Sequence, residues 1–230
     1  SDMASPRKYR SIVAVSHALG NNYGMFEESI LSDLQALPLA QADIAYAAAF
    51  LPAAQADALF FALVYGVPWQ QPQLYIHGRQ VPTPRLCCWM GNPDAAYRYS
   101  NTRFLPEPWT APVLGLKSAV EAMAGTAFNS VLLNYYRDGR DAMGWHSDDE
   151  PELGPKPVIA SVSLGGVRRF LLRPASGGKS SGIELAHGSL LLMRGDTQKN
   201  YRHSLPRTAK AVDGRINLTF RNIRRFADLA

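Results

Sequence analysis

The seven residues 215–221, Arg-Ile-Asn-Leu-Thr-Phe-Arg, decide the fold class of this chain. Apolar and polar side chains alternate along the run, which is the pattern of a β-strand with one buried face and one polar face. Residues two apart point to the same side of a strand, so Arg215, Asn217, Thr219 and Arg221 share the polar face. Because a guanidinium binds a carboxylate through two parallel hydrogen bonds, this face predicts a site for a carboxylate ligand.

A second strand with polar positions comes earlier, at residues 132–136, which read Leu-Leu-Asn-Tyr-Tyr. Asn134 and Tyr136 share one face of this strand by the same two-residue rule. Both side chains carry neutral hydrogen-bond donors. We therefore expect them to contact the same carboxylate ligand.

Three side chains between these two strands have the composition of a metal site. His146 and Asp148 are two residues apart, so in an extended segment both point to one side while Ser147 points away. His203 follows on a different element. Two histidines and one carboxylate leave open positions on an octahedral ion, as in non-haem Fe(II) oxygenases. A hydrolytic zinc site uses the same ligand types, but the two arginines after His203 favour iron with a carboxylate cosubstrate.

Short segments separated by turn residues predict a protein that is mostly β with flanking helices. Dipeptides such as Asp138-Gly139, Gly165-Gly166 and Asp213-Gly214 are typical of turns. The predicted strands of this region are 131–137, 158–164, 169–173, 183–185, 189–193 and 216–222.

Upstream of residue 130, the sequence predicts two clear helices and one hairpin. Residues 52–63 begin with a proline, which favours the start of a helix, and residues 112–124 carry apolar side chains at three- and four-residue spacing. Residues 74–81 predict a hairpin that turns at a glycine. Weaker patterns predict a short helix around 25–37 and a strand near Ile44.

In this order, the polar strands and the His-x-Asp…His set resemble the AlkB family of Fe(II)- and 2-oxoglutarate-dependent nucleic-acid dealkylases, and within it the eukaryotic DNA-repair branch. The resemblance extends from about Gln73 to Phe226 and includes the stretches 146–150 (His-Ser-Asp-Asp-Glu) and 203–206 (His-Ser-Leu-Pro). Together with the rhythm of short strands, it implies a double-stranded β-helix, or jelly roll, as the catalytic core at residues 130–226.

The resemblance also implies the cofactors and the residues that hold them. Fe(II) would be the metal and 2-oxoglutarate the cosubstrate. The implied metal ligands, which are also the catalytic residues, are His146, Asp148 and His203. The implied cosubstrate contacts are Asn134, Tyr136, Arg215, Asn217, Thr219 and Arg221.

The resemblance places a nucleotide-recognition hairpin and lid in residues 73–104. Its implied substrate contacts are His77, Arg85, Tyr97, Tyr99 and Glu150. The double-strand specialist of the branch has a bulky apolar wedge where this chain has His77, and a wedge opens the base stack before flipping. Histidine is a poor wedge, so we expect single strands to be favoured over duplexes.

The activity that the resemblance implies is oxidative dealkylation of N-alkylated bases, such as 1-methyladenine and 3-methylcytosine, in DNA and by extension in RNA. A net charge of +5 agrees with alkylated nucleic acid as the partner. Two alternatives stay open: a nucleic-acid-binding module with a vestigial oxygenase site, and a 2-oxoglutarate oxygenase that acts on protein or lipid. The intact ligand and arginine pattern argues against the first, and the aromatic lid argues against the second.

Length and composition, with 47% hydrophobic residues, predict one domain over residues 1–230. The resemblance implies that this domain is an Fe(II)/2-oxoglutarate dioxygenase. Residues 1–5 are expected to be a vector remnant. No apolar run has the length of a membrane span, and the adjacent Cys87 and Cys88 do not make a disulfide framework. We expect an intracellular monomer without a membrane partner, cytoplasmic, or nuclear if the source is eukaryotic.

Overall fold

The computed structural model describes residues 33–224 except 77, 96, 100, 101 and 105, without the side chains at 74, 76, 97–99 and 102–104. The described elements in chain order are β1 (Gln35–Ala36), β2 (Asp43–Ala47), α1 (Ala53–Gly66), β3 (Gln73–Ile76), β4 (Arg79–Pro82), β5 (Leu86–Gly91), β6 (Tyr97–Tyr99), β7 (Thr102–Phe104), α2 (Ala111–Ala124), β8 (Ser130–Tyr136), β9 (Met143–His146), a 3-10 helix (Pro151–Leu153), β10 (Ile159–Gly165), β11 (Arg168–Pro174), β12 (Ser181–Leu185), β13 (Ser189–Arg194), α3 (Thr197–Asn200), β14 (Tyr201–Leu205) and β15 (Arg215–Arg221).

Two antiparallel sheets make up the body of the fold. The larger has seven strands in the order β1-β2-β13-β10-β15-β8-β5, and the smaller has four in the order β12-β11-β14-β9. The pairs β3-β4 and β6-β7 form two separate hairpins. The predicted fold class, mostly β with flanking helices around a double-stranded β-helix, is confirmed.

One apolar cluster joins α1 and α2 to the seven-stranded sheet. It contains buried side chains from both helices and from the interior strand β15, among them Leu59, Leu63, Val113, Leu116, Val120, Ile216, Leu218 and Phe220. Burying a side chain of this size contributes about 1.5–3 kcal/mol. Because alternate residues of β15 are held in this cluster, its other face is turned away from the helices. The core therefore orients the polar side chains of β15.

The predicted helices 52–63 and 112–124 are confirmed as α1 and α2. Gly78, where the predicted hairpin 74–81 turns, has a φ angle of +76°, in the left-handed region that glycine favours. The strand predicted near Ile44 is β2. None of the helices in the described part of the chain is both long and apolar enough to cross a membrane.

The helix predicted around 25–37 is wrong where the structure describes it. Gln35–Ala36 form β1, which pairs with β2, and the Leu37 N–H donates to the carbonyl of Ile44 over 2.9 Å. Strand pairing satisfies these backbone groups and outweighs the helical preference of leucine and alanine. The remainder of that prediction, residues 25–32, lies outside the described part.

Candidate metal and cosubstrate site

A cavity that is partly open to solvent lies between the two sheets. Strands of both sheets contribute to it, so it occupies the interior of the jelly roll rather than the space under the helices. The lining residues are Leu132, Asn134, Tyr136, Met143, His146, Asp148, Ser161, Phe170, Leu185, Met193, His203, Leu205, Arg215, Asn217, Thr219 and Arg221.

The structure brings His146, Asp148 and His203 together at this cavity. Their candidate ligand atoms all lie within 4.8 Å of one another. The Nε2 atoms of the two histidines are 3.1 Å apart, and His146 Nε2 lies 3.8 Å from Asp148 Oδ1. The residues could therefore hold one metal ion.

Strand pairing explains how these residues meet. β14 pairs with β9 so that His203 stands opposite His146. Asp148 lies just beyond β9, where its backbone N–H donates to Gln198 Oε1 over 2.9 Å. Ser147 turns the other way, and its hydroxyl donates to the carbonyl of Tyr201 over 3.0 Å. This alternation agrees with the one predicted for the His-Ser-Asp segment.

The protonation states suit a metal site. Burial lowers the pKa of His203 to about 4, so its imidazole is neutral near pH 7 and can offer a lone pair. Burial alone would raise the pKa of Asp148, but the charge of Arg221, followed by the two histidines, outweighs burial and lowers it. Asp148 is therefore ionised at neutral pH and can bind a cation.

The distance between the histidine nitrogens fits an octahedral ion. Two nitrogen ligands at about 2.1 Å from one ion and at right angles to each other are about 3.0 Å apart, close to the observed 3.1 Å. His146 Nδ1 donates to the carbonyl of Gly144 over 2.9 Å, which leaves Nε2 as the metal-binding nitrogen. The donor set and its spacing fit Fe(II).

Arg215 and Arg221 are the first and last residues of β15. Arg215 is a buried cation, with only 2% of its surface exposed. Its Nη2 donates to Ser163 Oγ over 2.9 Å, and its guanidinium carbon lies 5.4 Å from the centre of the Tyr136 ring. Its Nε has no hydrogen-bond partner, and no acidic side chain among the described residues pairs with it. Burial lowers the pKa of Arg215 to about 10, so it stays protonated near pH 7.

Asn217 and Thr219 form a buried network with the neighbouring strand. Thr219 Oγ1 donates to Asn217 Oδ1 over 2.9 Å, and Asn217 Nδ2 donates to Ser161 Oγ over 2.7 Å and to the carbonyl of Val162 over 3.0 Å. Both ends of the Asn217 amide are thus engaged within the protein. Both residues line the cavity, and the direct contact with a cosubstrate stays a prediction.

Asn134 and Tyr136 also line the cavity, from β8 beside β15. Arg85 Nε donates to Asn134 Oδ1 over 2.9 Å. Burial raises the pKa of Tyr136, although the charge of Arg215 opposes this effect. Its phenol therefore remains protonated near pH 7 and can donate a hydrogen bond.

The predicted substrate contacts are described only in part. His77 and the side chains of Tyr97 and Tyr99 lie outside the described residues, although the β6 backbone pairs with β7. Burial raises the pKa of Glu150, and Arg221 opposes that effect. Neither Arg85 nor Glu150 is among the described residues that line the cavity. The substrate roles of these five residues stay predictions.

Several residues of the site were not predicted from the sequence. Gln198 holds the backbone of Asp148, and the Phe170 ring lies 5.3 Å from that of His203. Ser161 and Ser163 accept hydrogen bonds from the polar face of β15. A signal for the two serines was present, because they alternate with apolar residues and must share one face of their strand.

Comparison with known proteins assigns the chain to a family. Residues 43–221 match the 2OG-Fe(II) oxygenase superfamily, and the chain belongs to it. Membership makes Fe(II) the metal and 2-oxoglutarate the cosubstrate of the fold, as the sequence predicted. The solved structure of OsALKBH1 superposes with a TM-score of 0.56 over 82% of this chain and 99% of that one, at 19% identity, and supports the fold.

Curated relatives confirm the resemblance to AlkB proteins. The rat alpha-ketoglutarate-dependent dioxygenase alkB homolog 3 (Rattus norvegicus) is 41% identical over 76% of this chain and 62% of its own length. The Homo sapiens protein of the same name is 39% identical over 76% of this chain and 64% of its own length. DNA oxidative demethylase ALKBH2 of Homo sapiens is 38% identical over 74% of this chain and 69% of its own length. This chain therefore spans less than two thirds of the length of the alkB homolog 3 relatives.

Proposed function

We propose that the protein is an Fe(II)- and 2-oxoglutarate-dependent dioxygenase that removes alkyl groups from alkylated bases in nucleic acid. The observation that carries the proposal is Arg215, a buried guanidinium without an acidic partner among the described residues, in the same cavity as the His146, Asp148 and His203 set. An isolated buried charge is costly in an apolar interior. A carboxylate ligand that also reaches the metal would neutralise it.

The proposed roles divide the cavity into two ends. His146, Asp148 and His203 hold the metal at one end, and Arg221 keeps Asp148 ionised and oriented. Arg215 binds the carboxylate of 2-oxoglutarate that does not face the metal.

The neutral groups around the cosubstrate have a different task. Asn134 and Tyr136 donate hydrogen bonds to it. Asn217 and Thr219 shape the wall beside it through their own hydrogen bonds. The single domain, with residues 130–226 as its catalytic jelly roll, is part of the same proposal.

When bound, iron and 2-oxoglutarate supply the oxidising power: dioxygen oxidises the N-alkyl carbon, the oxo acid becomes succinate and carbon dioxide, and the hydroxylated alkyl group leaves as an aldehyde. The side chains of the protein position the reactants and supply no electrons. Apolar residues such as Leu132, Phe170 and Leu205 line the cavity with the polar groups and limit the access of bulk water to the reacting carbon.

The proposed substrate class is DNA with N-alkylated bases, such as 1-methyladenine and 3-methylcytosine, and RNA by extension. The names of two relatives, a DNA oxidative demethylase and an alkB homolog, support it. The exposed Arg202, Arg207 and Lys210 supply positive charge for a phosphate backbone. Arg194, in contrast, pairs with Asp43 over 3.0 Å, so its charge is partly balanced within the protein.

We further propose that single strands are preferred. Extruding a base costs least when it is already unpaired, and the chain has a histidine at the position where a related protein has an apolar wedge. The test uses matched single- and double-stranded oligonucleotides that carry 1-methyladenine or 3-methylcytosine, with Fe(II), ascorbate and 2-oxoglutarate, and reads product masses. We expect faster loss of the methyl group from single strands and a selective gain on duplexes in His77→Phe. Equal rates on both substrates, with no selective gain, would contradict the strand preference, and no methyl loss from any oligonucleotide would contradict the substrate class.

A further inference from the structure

We propose that Arg85 is a positioning residue for the cosubstrate: its guanidinium fixes the amide of Asn134 so that the amide nitrogen is presented to the cavity as a hydrogen-bond donor. The inference rests on the proposed function, because it takes 2-oxoglutarate as the ligand of the cavity. It gives Arg85 a different role from the contact with the nucleic-acid backbone that the sequence resemblance implied.

The direction of the hydrogen bond carries the argument. A guanidinium has only donors, so the atom of Asn134 that faces Arg85 Nε at 2.9 Å must be the amide oxygen. Asn134 lines the cavity and is 2% exposed. Among the described residues, its amide nitrogen has no acceptor. Fixing the oxygen therefore leaves the NH₂ group available to a ligand in the cavity.

The backbone of Arg85 is itself held in place. Its N–H donates to the carbonyl of Thr83 over 2.8 Å, and Thr83 Oγ1 donates back to the carbonyl of Arg85 over 3.0 Å. Thr83 is buried, and its N–H donates to the carbonyl of Pro72 over 2.8 Å. Pro72 directly precedes the β3-β4 hairpin and Thr83 directly follows it. Arg85 thus connects the base of that hairpin to the wall of the cavity.

Arg85 also adds positive charge near Tyr136 and Arg215, at the end of the cavity that is away from the proposed metal site. Its charge acts on Tyr136 in the same sense as that of Arg215, because both oppose the rise in the Tyr136 pKa that burial causes. Two guanidinium groups therefore act on the region where the far carboxylate of 2-oxoglutarate would lie. Of Arg85 and Arg215, only Arg215 is among the described residues that line the cavity.

The test measures 2-oxoglutarate binding in the absence of nucleic acid and of turnover. Calorimetric titration of 2-oxoglutarate into Mn(II)-loaded protein is compared for the wild type, Arg85→Ala, Arg85→Lys, Asn134→Ala and the double variant Arg85→Ala/Asn134→Ala. We expect binding about tenfold weaker in Arg85→Ala, since one charge-assisted hydrogen bond is lost, and partial recovery in Arg85→Lys. In the Asn134→Ala background, removing Arg85 should weaken binding less than it does in the wild type, because the hydrogen bond between the two residues is already lost and only the charge of Arg85 remains to be removed.

Arg79→Ala is the matched control, because Arg79 is an exposed arginine on β4, in the β3-β4 hairpin that precedes Arg85. It should leave the titration unchanged. Unchanged 2-oxoglutarate affinity in Arg85→Ala, with weaker oligonucleotide binding and a salt dependence reduced by about one counterion, would show instead that Arg85 contacts the phosphate backbone. A wild type that binds no 2-oxoglutarate would overturn the proposed function as well, so the two failures are distinguishable.

Discussion

Arg221 Nη2 donates to Asp148 Oδ1 over 2.7 Å, which connects β15, an interior strand of the larger sheet, to the segment that follows β9, an edge strand of the smaller one. The side chains of this pair are 11% and 3% exposed. Arg215, six residues earlier on the same face of the strand, has no acidic partner among the described residues. Arg221 is therefore a buried charge with a partner, and Arg215 is a buried charge without an acidic partner among the described residues. Replacing the two arginines should affect stability differently.

Replacement of Arg221 should destabilise the metal-free protein. In Arg221→Met, the buried Asp148 carboxylate loses its partner, and breaking a buried pair on one side costs about 3–5 kcal/mol. Metal should restore part of the loss, because the ion then neutralises the carboxylate. Thermal unfolding with and without Mn(II) measures both effects. A metal-free Arg221→Met protein as stable as the wild type would show that this ion pair does not support the fold.

Replacement of Arg215 should have the opposite effect on stability. In the cosubstrate-free protein, Arg215→Met removes a buried charge that no acidic side chain balances, so the free energy of unfolding should stay the same or rise by up to about 2 kcal/mol. Affinity for 2-oxoglutarate should fall by a factor of about 100 or more, because its carboxylate loses the guanidinium. Chemical unfolding and calorimetric titration are the two measurements. A destabilised variant with unchanged affinity would mean that Arg215 is only a structural residue.

Replacement of His146 should abolish metal binding and leave the fold intact. Its side chain is one third exposed, so His146→Ala should unfold within about 1 kcal/mol of the wild type. Activity should be lost and bound iron should drop well below one equivalent, because two ligands bind an ion weakly. Metal analysis, circular dichroism and turnover are compared on the same preparation. Full activity in this variant would contradict the iron assignment.

The metal-free protein should lose stability on acidification because of His203. The unfolded chain binds the His203 proton below about pH 6.5, whereas the folded protein binds it only near pH 4. Between these values the unfolded state holds more protons, so the free energy of unfolding falls by about 1.4 kcal/mol for each unit that the pH drops. The stability that neutral His203 contributes is present above pH 6.5 and lost toward pH 4.

His203→Gln tests this expectation, because glutamine does not titrate. Urea unfolding of the metal-free proteins at about pH 7 and pH 4 should show that the wild type loses about 3 kcal/mol more than the variant. An equal loss in both proteins would mean that His203 is protonated in the folded state at mild pH.

The polar face of β15 could be predicted from the sequence because a period of two is a local property. The same is true of the helix α2, whose apolar residues recur at helical spacing. β9 and β14 were not predicted as strands, although both carry metal-site histidines. They are short, and their partners are distant in sequence, so the pairing of His146 with His203 depends on tertiary structure. The ligand types and the resemblance to a family, rather than a strand pattern, linked the two histidines.

Other features of the site could not be predicted for the same reason. Gln198 contacts the Asp148 backbone across 50 residues of chain, and nothing in the sequence around Gln198 indicates this contact. The direction of the Arg85 side chain depends on the register of β5 against β8, which places Cys87 opposite Asn134. Periodicity indicates which residues share a face, and the register of strands decides which faces meet.

The most direct test of the central claim is the stoichiometry of turnover on a single-stranded oligonucleotide that carries one 3-methylcytosine. The protein is incubated with Fe(II), ascorbate and limiting 2-oxoglutarate, and succinate and the repaired oligonucleotide are quantified by mass spectrometry in one sample. The proposed function predicts one succinate for each base that loses its methyl group, and neither product in His203→Ala. Succinate formation with an oligonucleotide of unchanged mass would show that the cavity oxidises 2-oxoglutarate for a different substrate, and would contradict the assignment to nucleic-acid dealkylation.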